Sequence, residues 1–498
     1  MIDLKKFEFW FVVGSQDLYG EETLKQVAEH GRIMAQEFAN DPILPAKIVL
    51  KPVAISPAAI RILFEEAAAC PSCAGIITWM HTFSPSKMWI QGLAANKKPI
   101  LHLHTQFNRD IPWQTIDMDF MNLNQSAHGD REHGYIYARM RLPRKVIAGF
   151  WQDSQVRRRM AVWMRAACAR ADGIISPVVR LGDNMREVAV TEGDKVEAQI
   201  KFGWQVNTWG VGDLVALYNE VSDAAAETLV TQYEADYEFA PELKSGNGRK
   251  AVLEQAKIEI ALKKLLDSEG AGAFTTTFQD LHGLPQLPGL AAQRLMEQGY
   301  GFGAEGDWKQ SMLLHASKVM AQGLPGGVSF MEDYTYNMEN GNEAALGAHM
   351  LEVCPSIAAK KPRVEVHPLG IGGKAPPARL VFDAAPGPAV LATLIDLGDR
   401  FRMILNEVEA IKIEHAMPKL PVARALWKPA PNLYDAAESW ILAGGTHHSV
   451  YASALTTEYF RDWAEMMEVE CVLINNDTKP VQFLDELRQN EAYWSRRS

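Results

Sequence analysis

Two glutamates and a histidine, in a stretch dense in glycine and aromatic residues, are the clearest chemical feature of the chain. Glu305 lies in GYGFGAEGDWK, Glu332 in GGVSFMEDYTY and His349 in ALGAHM. A further imidazole comes far downstream in AGGTHHSV, at His447 or His448. Two carboxylates and two imidazoles can bind a divalent metal, and they can also supply the acid and the base of a proton transfer.

The donor atoms of this set predict which metal it would hold. Carboxylate and imidazole ligands without thiolates favour Mn²⁺, and Co²⁺ or Mg²⁺ to a lesser degree, over structural zinc. Adjacent histidines in a strand point to opposite faces, so the residues alone do not choose between His447 and His448. Such a site suits enolisation of a sugar, while metal-dependent hydrolase or aldolase chemistry and a non-catalytic sugar-binding protein stay open.

Several local patterns around these residues predict how they are presented. Gly301–Gly306 spells G-x-G-x-x-G, but a helical pattern precedes it where a dinucleotide site needs a strand, so we interpret its glycines as exposing Glu305 to a cavity. Asp307 is expected to cap the next helix. Glu332 is predicted at the end of the strand GVSFM. His349 is expected in a helical or turn segment after AALGA, and its spacing to Glu352, H-x-x-E, would place both on one face of a helix.

The rest of the chain predicts the elements that position these groups. Up to about residue 172, apolar runs at 8–13, 47–53, 75–80 and 99–104 alternate with helical patterns such as 21–40 and 57–69. That alternation favours a parallel, doubly wound sheet. Ligands of such sheets bind beyond the carboxyl ends of the strands. The loops there carry amides, aromatics and histidines suited to a sugar: Gln16, Tyr19, His81, Phe83, Gln106, Asn124 and His128.

Two further domains are predicted after this one. Residues 173–325 continue the α/β pattern, with strands in GIISPVV, MREVAVT and FTTTF, a surface loop at 240–250 and helices on either side of Glu305. From 326 to 498, β-rich runs bounded by glycine and proline favour an antiparallel, barrel-like domain. The predicted architecture is therefore two Rossmann-like domains, 1–172 and 173–325, and a C-terminal β domain that completes the metal site.

Composition excludes several classes of function. A net charge of −11 with no basic tract argues against a general nucleic-acid or membrane-surface role. No apolar run approaches the length of about 20 residues that a membrane span needs, and MIDLKKFEFWFVVGSQ does not match a signal peptide, so we expect a cytoplasmic protein. The five scattered cysteines, including the pair Cys70 and Cys73, do not form a disulfide or zinc pattern.

Long motifs in fixed order connect the chain to a known family. The segments FWFVVGSQDLYG, HTFSPSKMWI, DMDFMNLNQSAHG, GDNMREVAVTEGDKV, GFGAEGDWK, SFMEDYTY, HMLEVCPSIA and AGGTHHSV span nearly all of it. With them the chain resembles the L-arabinose isomerase family. The resemblance implies a Mn²⁺-dependent aldose–ketose isomerase that converts L-arabinose to L-ribulose, the first step of arabinose catabolism. It also implies one Mn²⁺ per subunit and a cytoplasmic homo-oligomer, expected to be a hexamer of two trimers.

The resemblance also implies roles for particular residues. Glu305 and Glu332 become the acid/base pair and two metal ligands, and His349 and His448 become the other two ligands. His447 becomes a neighbouring pocket residue, and His128 is expected to reach the site of a neighbouring subunit. The remaining positions that match the family's sugar pocket are Gln16, Leu18, Tyr19, Phe83, Met185, Phe278 and Ile371.

Overall fold

Two compact units make up the computed structural model, which describes residues 2–495. The N-terminal unit comprises Asp3–Ala171 and the short segment Arg461–Glu468. The C-terminal unit comprises Asp172–Phe460 and the residues that follow Glu468. Each unit has its own parallel sheet, and the C-terminal unit also holds the β domain.

The N-terminal unit is a parallel sheet flanked by helices, as the alternating pattern predicts. Its strands are β1 (Glu8–Gly14), β2 (Lys47–Leu50), β3 (Cys73–Met80), β4 (Ile100–His104) and β5 (Lys145–Ala148). Its helices are α1 (Gly20–Ala39), α2 (Pro57–Ala69), α3 (Ile90–Ala95), α4 (Met118–Leu123), α5 (Ser126–Met140) and α6 (Ser154–Ile175), the last of which runs on into the C-terminal unit. The strand order is β2-β1-β3-β4-β5, and every pairing is parallel.

A second parallel sheet opens the C-terminal unit. The strands of this region are β6 (Val178–Leu181), β7 (Val206–Trp209), β8 (Glu238–Phe239), β9 (Ala273–Thr276) and β10 (Gly301–Ala304). Its helices are α7 (Lys195–Phe202), α8 (Val211–Glu220), α9 (Asp223–Asp236), α10 (Gly246–Glu269), α11 (Gly289–Glu297) and α12 (Trp308–Ala321). Four of these strands form the sheet β10-β9-β6-β7, all parallel.

Two expectations for this region are wrong. MREVAVT is not a strand: it folds as a turn that ends in a 3-10 helix at Ala189–Thr191. The next strand is β7, further along the chain. The predicted surface loop at 240–250 is short, because α10 already begins at Gly246. Local propensity was misleading in both segments. The apolar β-branched residues of MREVAVT suit a strand and the turn formers of 240–250 suit a loop, but the tertiary context overrides such preferences.

Most of the remaining strands build a closed antiparallel barrel. The strands of this region are β11 (Val328–Asn337), β12 (Ala344–Ala348), β13 (Arg363–Val366), β14 (Ala378–Val381), β15 (Gly387–Asp396), β16 (Phe401–Ile411), β17 (Arg424–Pro429), β18 (His448–Ala452) and β19 (Glu470–Ile474). Strands pair in the order β15-β18-β11-β12-β17-β16, and pairing of β15 with β16 closes the ring. β19 adds to β16 in parallel, and β14, β13 and β8 form a small separate sheet. Three helices complete the fold: α13 (Leu433–Leu442), α14 (Thr457–Met466) and α15 (Pro480–Trp494).

Helix α12 connects the parallel sheet to the barrel. Its residues Trp308–Met320 are all buried, and it packs on β9 and β10 on one side and on β11, β15 and β18 on the other. The barrel interior is apolar, with Met331, Trp427 and Tyr451 among its side chains. Side chains alternate along a strand, so Phe330 and Glu332 point the opposite way from Met331. Phe330 meets Phe302 of β10 with ring centroids 5.7 Å apart, which identifies this outer face as the one turned to the parallel sheet.

No helix within residues 2–495 combines the length and the apolar character that crossing a membrane would require.

Candidate active site between the central sheet and the barrel

Three neighbouring barrel strands present three of the predicted metal ligands. Glu332 on β11 lies directly opposite His448 at the start of β18. On its other side Glu332 pairs with Ala348, the last residue of β12, and His349 follows at once. Glu332 therefore lies inside β11 rather than at its end, because the barrel pairing extends the strand GVSFM beyond its apolar run. Of the two alternatives for His349, a helix or a turn, the turn is confirmed, since His349 follows β12 directly and no helix begins there.

The fourth predicted ligand, Glu305, comes from the parallel sheet. It follows β10 directly, at the carboxyl end of the strand, and adopts a left-handed backbone conformation with φ of 61°. Such a conformation is uncommon for a residue with a side chain, and it is held here by a hydrogen bond from the Met185 N–H to the Glu305 carbonyl, 2.9 Å long. The strained turn lets the chain leave the sheet and still direct the carboxylate to the barrel.

The glycines beside Glu305 allow close packing of the backbone, as expected. A Cβ on Gly301 would lie 1.9 Å from the Ser311 carbonyl oxygen, and one on Gly303 would lie 2.2 Å from that of Asp307. Both glycines are in β10, so they allow α12 to lie directly against the strand. Glu305 itself lines a cavity, as the sequence predicts.

The four side chains meet in a small volume. Nε2 of His448 lies 3.2 Å from Oε1 of Glu332 and 3.7 Å from Oε2 of Glu305. Nε2 of His349 lies 3.4 Å from the same Glu332 oxygen. All four predicted metal and catalytic residues are thus brought together. His447 is also near, since Glu305, His447 and His448 can each bring one ligand atom within 4.8 Å of the others. His447 is exposed, whereas His448 is fully buried.

Each of the two buried histidines is held by a further carboxylate. Nδ1 of His448 lies 3.0 Å from Oδ2 of Asp307, and Nδ1 of His349 lies 2.6 Å from Oε2 of Glu352. An ionised carboxylate only accepts hydrogen bonds, so each Nδ1 carries a proton, and each Nε2 can present a lone pair to a cation once its own proton has left. This is the arrangement that orients histidines which ligate metals.

The structure also supplies an independent test of whether a cation fits. Nε2 of His448 is buried and has no hydrogen-bond partner within residues 2–495. Buried polar atoms without a partner are rare and usually indicate a bound water or ion. A divalent cation held by Glu305, Glu332, His349 and His448 would satisfy this atom, so the donor set fits the predicted metal.

A buried lysine supports Asp307 from the other side. Nζ of Lys309 lies 3.2 Å from Oδ1 of Asp307 and donates to the carbonyl oxygens of Val190 and Glu192 at 3.1 and 2.6 Å. Asp307 also accepts from the Gln310 N–H, which confirms its predicted role as the cap of α12. The sequence did not reveal its second contact, with His448, or the role of Lys309.

Burial and nearby charges shift the pKa values of the two glutamates in opposite directions. Burial raises the pKa of Glu305 above its usual range, and Glu332 nearby adds to the effect. Burial alone would also raise the pKa of Glu332, but His349 and His448 outweigh it and hold that pKa below its usual range. Opposite shifts of this kind are typical of carboxylate pairs in which one member holds a proton and the other accepts it.

The histidines respond to the same charges. Burial alone would lower the pKa of His448, yet Asp307 and Glu332 raise it to about 9. The pKa of His349 is also raised, since Glu332 and Glu352 outweigh its burial. His447 differs: burial lowers its pKa, and the neighbouring His448 adds to the effect.

A cavity of about 530 Å³ opens onto these residues. Glu305, Glu332 and His349 line it, and so do Phe278 and Ile371, two of the predicted sugar-pocket residues. Met185 touches Glu305 through its backbone but is not part of the cavity wall. Lining residues that the sequence did not indicate are Thr276, Leu281, Leu287, Tyr334 and Leu369. No local motif marks them, because they come from separate strands and loops of the sheet and barrel.

The other predicted sugar-pocket residues belong to the N-terminal unit. Gln16, Leu18 and Tyr19 follow the carboxyl end of β1, and Phe83 follows that of β3. His128, in the first turn of α5, is exposed and stacks on Phe83 with ring centroids 4.7 Å apart. These residues thus collect at the edge of the sheet where ligands of parallel sheets bind, and their part in the site stays a prediction.

The cysteine pair has no part in this chemistry. Cys70 and Cys73 are free thiols. Cys73 is buried, and burial raises the pKa of its thiol to about 12. A thiol that keeps its proton at neutral pH is a poor nucleophile and metal ligand.

A sheet and a barrel bring together two carboxylates and two imidazoles that are each held by a further carboxylate. This arrangement is typical of enzymes that use acid–base chemistry. Family models agree with this class. Those described as the L-arabinose isomerase N-terminal, central and C-terminal domains match residues 3–174, 177–323 and 327–470.

Whole-chain relatives carry the same name. The L-arabinose isomerase of Thermotoga petrophila is 62% identical over 494 residues, 99% of each chain. That of Geobacillus kaustophilus is 60% identical over 495 residues, again 99% of each, and that of Anoxybacillus flavithermus is 59% identical over 498 residues, 100% of this chain and 99% of the relative. The chain belongs to the L-arabinose isomerase family, and it is an isomerase.

Proposed function

We propose that the chain interconverts L-arabinose and L-ribulose by proton transfer through an enediol. The observation that carries the proposal is the pair Glu305 and Glu332, which face one imidazole, His448, from two different elements at 3.7 and 3.2 Å. Family membership supplies the substrate, since the relatives are named for L-arabinose.

The reaction requires two proton movements, and the pair of glutamates suits both. The proton on C2 of the aldose leaves, a proton is added at C1, and the hydroxyl proton of O2 passes to O1, so that no atom is gained or lost. Glu332, whose pKa is lowered, stays ionised and can therefore accept the carbon proton. Glu305, whose pKa is raised, is the better group to exchange the hydroxyl proton.

The proposal includes a divalent cation, with Mn²⁺ favoured by the mixed carboxylate and imidazole donors. Glu305, Glu332, His349 and His448 would hold it, one ion per subunit, and Co²⁺ or Mg²⁺ are possible substitutes. When bound, such a cation chelates adjacent sugar oxygens and polarises the carbonyl. Asp307 and Glu352 keep the imidazole lone pairs turned to the site, and the apolar walls Phe278 and Ile371 limit the access of water.

An assay in D₂O tests the chemistry as well as the activity. Purified protein with Mn²⁺ is expected to form L-ribulose from L-arabinose and to place solvent deuterium on C1 of the ketose. EDTA should abolish turnover, and added Mn²⁺ should restore it. Transfer of a C2 deuterium label intact to C1 would instead indicate a hydride shift and would exclude the enediol route.

Assembly is part of the same proposal. We propose a homo-oligomer, a hexamer of two trimers, in which the exposed His128 reaches the site of a neighbouring subunit. The proposal also includes a cytoplasmic location and the first step of arabinose catabolism as the role of the enzyme. Activity that falls together with the oligomer on dilution, at saturating Mn²⁺, is the expected result. A monomer with full activity would contradict the role of His128.

A further inference from the structure

A basic cleft in the N-terminal unit lies away from the strand ends that carry Gln16 and Phe83. It has an open volume of about 910 Å³ and is formed by the segments before β4 and β5, the end of α6 and residues 462–468. β4 and β5 begin at the cleft, so it faces the amino-terminal edge of the parallel sheet. Five cationic side chains line this basic cleft: Lys97, Lys98, Arg144, Lys145 and Arg170.

Most of these cations have no carboxylate partner. Lys145 is the exception, with its Nζ 2.6 Å from Oδ1 of Asp462. Lys98 donates to the Cys70 carbonyl at 2.9 Å, Arg144 to that of Gly134 at 3.2 Å and Arg170 to that of Lys97 at 3.3 Å. These acceptors are neutral. Within residues 2–495, none of Lys98, Arg144 and Arg170 forms an ion pair with a carboxylate.

Cations that are partly buried without a counter-charge are unusual in this unit. Burial lowers the pKa of both Lys98 and Arg170, and Arg170 depresses that of Lys98 further by repulsion. Nε of Arg144 is buried and has no hydrogen-bond partner in the described part of the chain. By contrast, the partly buried Arg157 of the same unit is paired with two carboxylates, Glu37 and Asp41. The cleft thus lacks an anion that would balance it.

The carboxylates that line the cleft do not supply the missing counter-charge. Asp462 forms an ion pair with Lys145. Glu465 and Glu468 also line the cleft, and both are exposed.

We propose that the basic cleft binds a phosphate-bearing small molecule, with Lys98, Arg144 and Arg170 as the groups that hold the phosphate. Guanidinium groups match phosphate oxygens with two parallel hydrogen bonds, and a lysine adds a point charge. The proposal does not depend on the substrate of the isomerase, and the cleft is a second site on the chain.

Titration calorimetry on the full-length protein tests the site with two probes, inorganic phosphate and a pentose 5-phosphate. Sodium chloride of equal ionic strength serves as the blank. We expect saturable binding of about one molecule per chain. The double variant Lys98→Met, Arg170→Met should weaken it at least about tenfold. The matched control Lys25→Met, Arg61→Met removes two exposed cations of the same unit that do not line the cleft, and it should bind as the unaltered protein does.

The control variant also distinguishes phosphate binding in the cleft from phosphate binding at the metal site, because both double variants keep the metal ligands. Should the cleft variant fold poorly, Arg144→Met and Lys98→Arg provide a second comparison: the first should weaken binding and the second should retain it. Absence of saturable binding for both probes up to about 10 mM, or equal affinity in the cleft and control variants, would overturn the proposal.

Discussion

His448 and Glu332 are a cross-strand pair: they lie directly opposite each other in β18 and β11, with Nε2 of the histidine 3.2 Å from Oε1 of the glutamate. Side chains opposite each other in an antiparallel pair are the closest neighbours that a sheet offers. The barrel therefore holds a base and an imidazole in register without any loop between them. Glu305 approaches the same imidazole from the parallel sheet, so that the site depends on the packing of two layers.

Removal of either glutamate carboxylate should abolish most of the activity. We expect Glu305→Gln and Glu332→Gln each to lower kcat by about 10²–10⁴, the usual contribution of a general acid or base, and to weaken metal binding. Steady-state kinetics with saturating Mn²⁺, and metal content after dialysis, are the measurements. Glu339→Gln, an exposed glutamate beyond the end of β11, is the matched control. Undiminished turnover in either site variant would refute the acid/base roles.

Asp307→Asn should disturb His448 while sparing the helix cap. Asparagine caps helices as well as aspartate does. The ammonium of Lys309 faces one oxygen of Asp307 at 3.2 Å, so the amide of the variant must turn its oxygen to Lys309 and its NH₂ to His448. The imidazole would then carry its proton on Nε2, where the lone pair is needed. We expect metal affinity to fall by about 10–100-fold or more.

The role of Lys309 can be isolated by a double-mutant cycle. In a Lys309→Met background, the amide that Asp307→Asn introduces would be free to present its oxygen to His448. The Asp307→Asn substitution should therefore cost less metal affinity in that background than alone. Asp117→Asn, at the exposed cap of α4, controls for the substitution itself. Additive effects of the two changes would show that Lys309 does not orient Asp307.

Metal binding and stability should both depend on pH through His448. In the metal-free protein the pKa of this imidazole is raised from 6.5 to about 9, against its burial, by Asp307 and Glu332. A raised folded-state pKa means that the stabilisation is complete below 6.5 and disappears as pH rises through about 9. A cation competes with the same proton, so apparent Mn²⁺ affinity should increase with pH up to about 9.

Urea unfolding of EDTA-treated protein from about pH 6 to about pH 9 measures the first effect, and titration with Mn²⁺ over the same range measures the second. His448→Gln is the reference, and the unaltered protein should lose stability relative to it across this window. A difference between the two proteins that does not change with pH would contradict the shift.

Gly303 should tolerate no side chain. The Cβ of Gly303→Ala would lie 2.2 Å from the Asp307 carbonyl oxygen and 2.9 Å from the Ser311 nitrogen, both backbone atoms at the start of α12. Separating helix from strand should destabilise the protein by at least about 1–3 kcal/mol and displace Glu305. Gly134→Ala in α5, where an added Cβ meets nothing within 4 Å, should raise stability by about 0.4–1 kcal/mol. Thermal unfolding of both variants compares them, and equal melting temperatures would contradict the close approach.

Much of the fold could be predicted because its signals are local. The strand β1 and the helix α2 follow from apolar runs and helical spacing, and Asp307 was identified as a cap from its position before α12. MREVAVT shows the limit: its apolar residues suit a strand, but no neighbouring strand pairs with it within residues 2–495. His349 shows a second limit. H-x-x-E has the spacing of a helix, but His349 follows directly after β12, a strand of the barrel. In both segments the presence or absence of a pairing strand, rather than local propensity, decided the structure.

Residue types and their order along the chain already establish the chemistry available to this protein: the two glutamates, the two imidazoles, and the ordered motifs that connect it to its family. The folded chain was needed to show that Glu332 faces His448, that Asp307 and Glu352 hold the imidazole protons, and that Lys309 stands behind Asp307. The reason is physical. Residue type and local spacing set what a side chain can do, whereas closure of the barrel and the burial of α12 between barrel and sheet set which side chains meet.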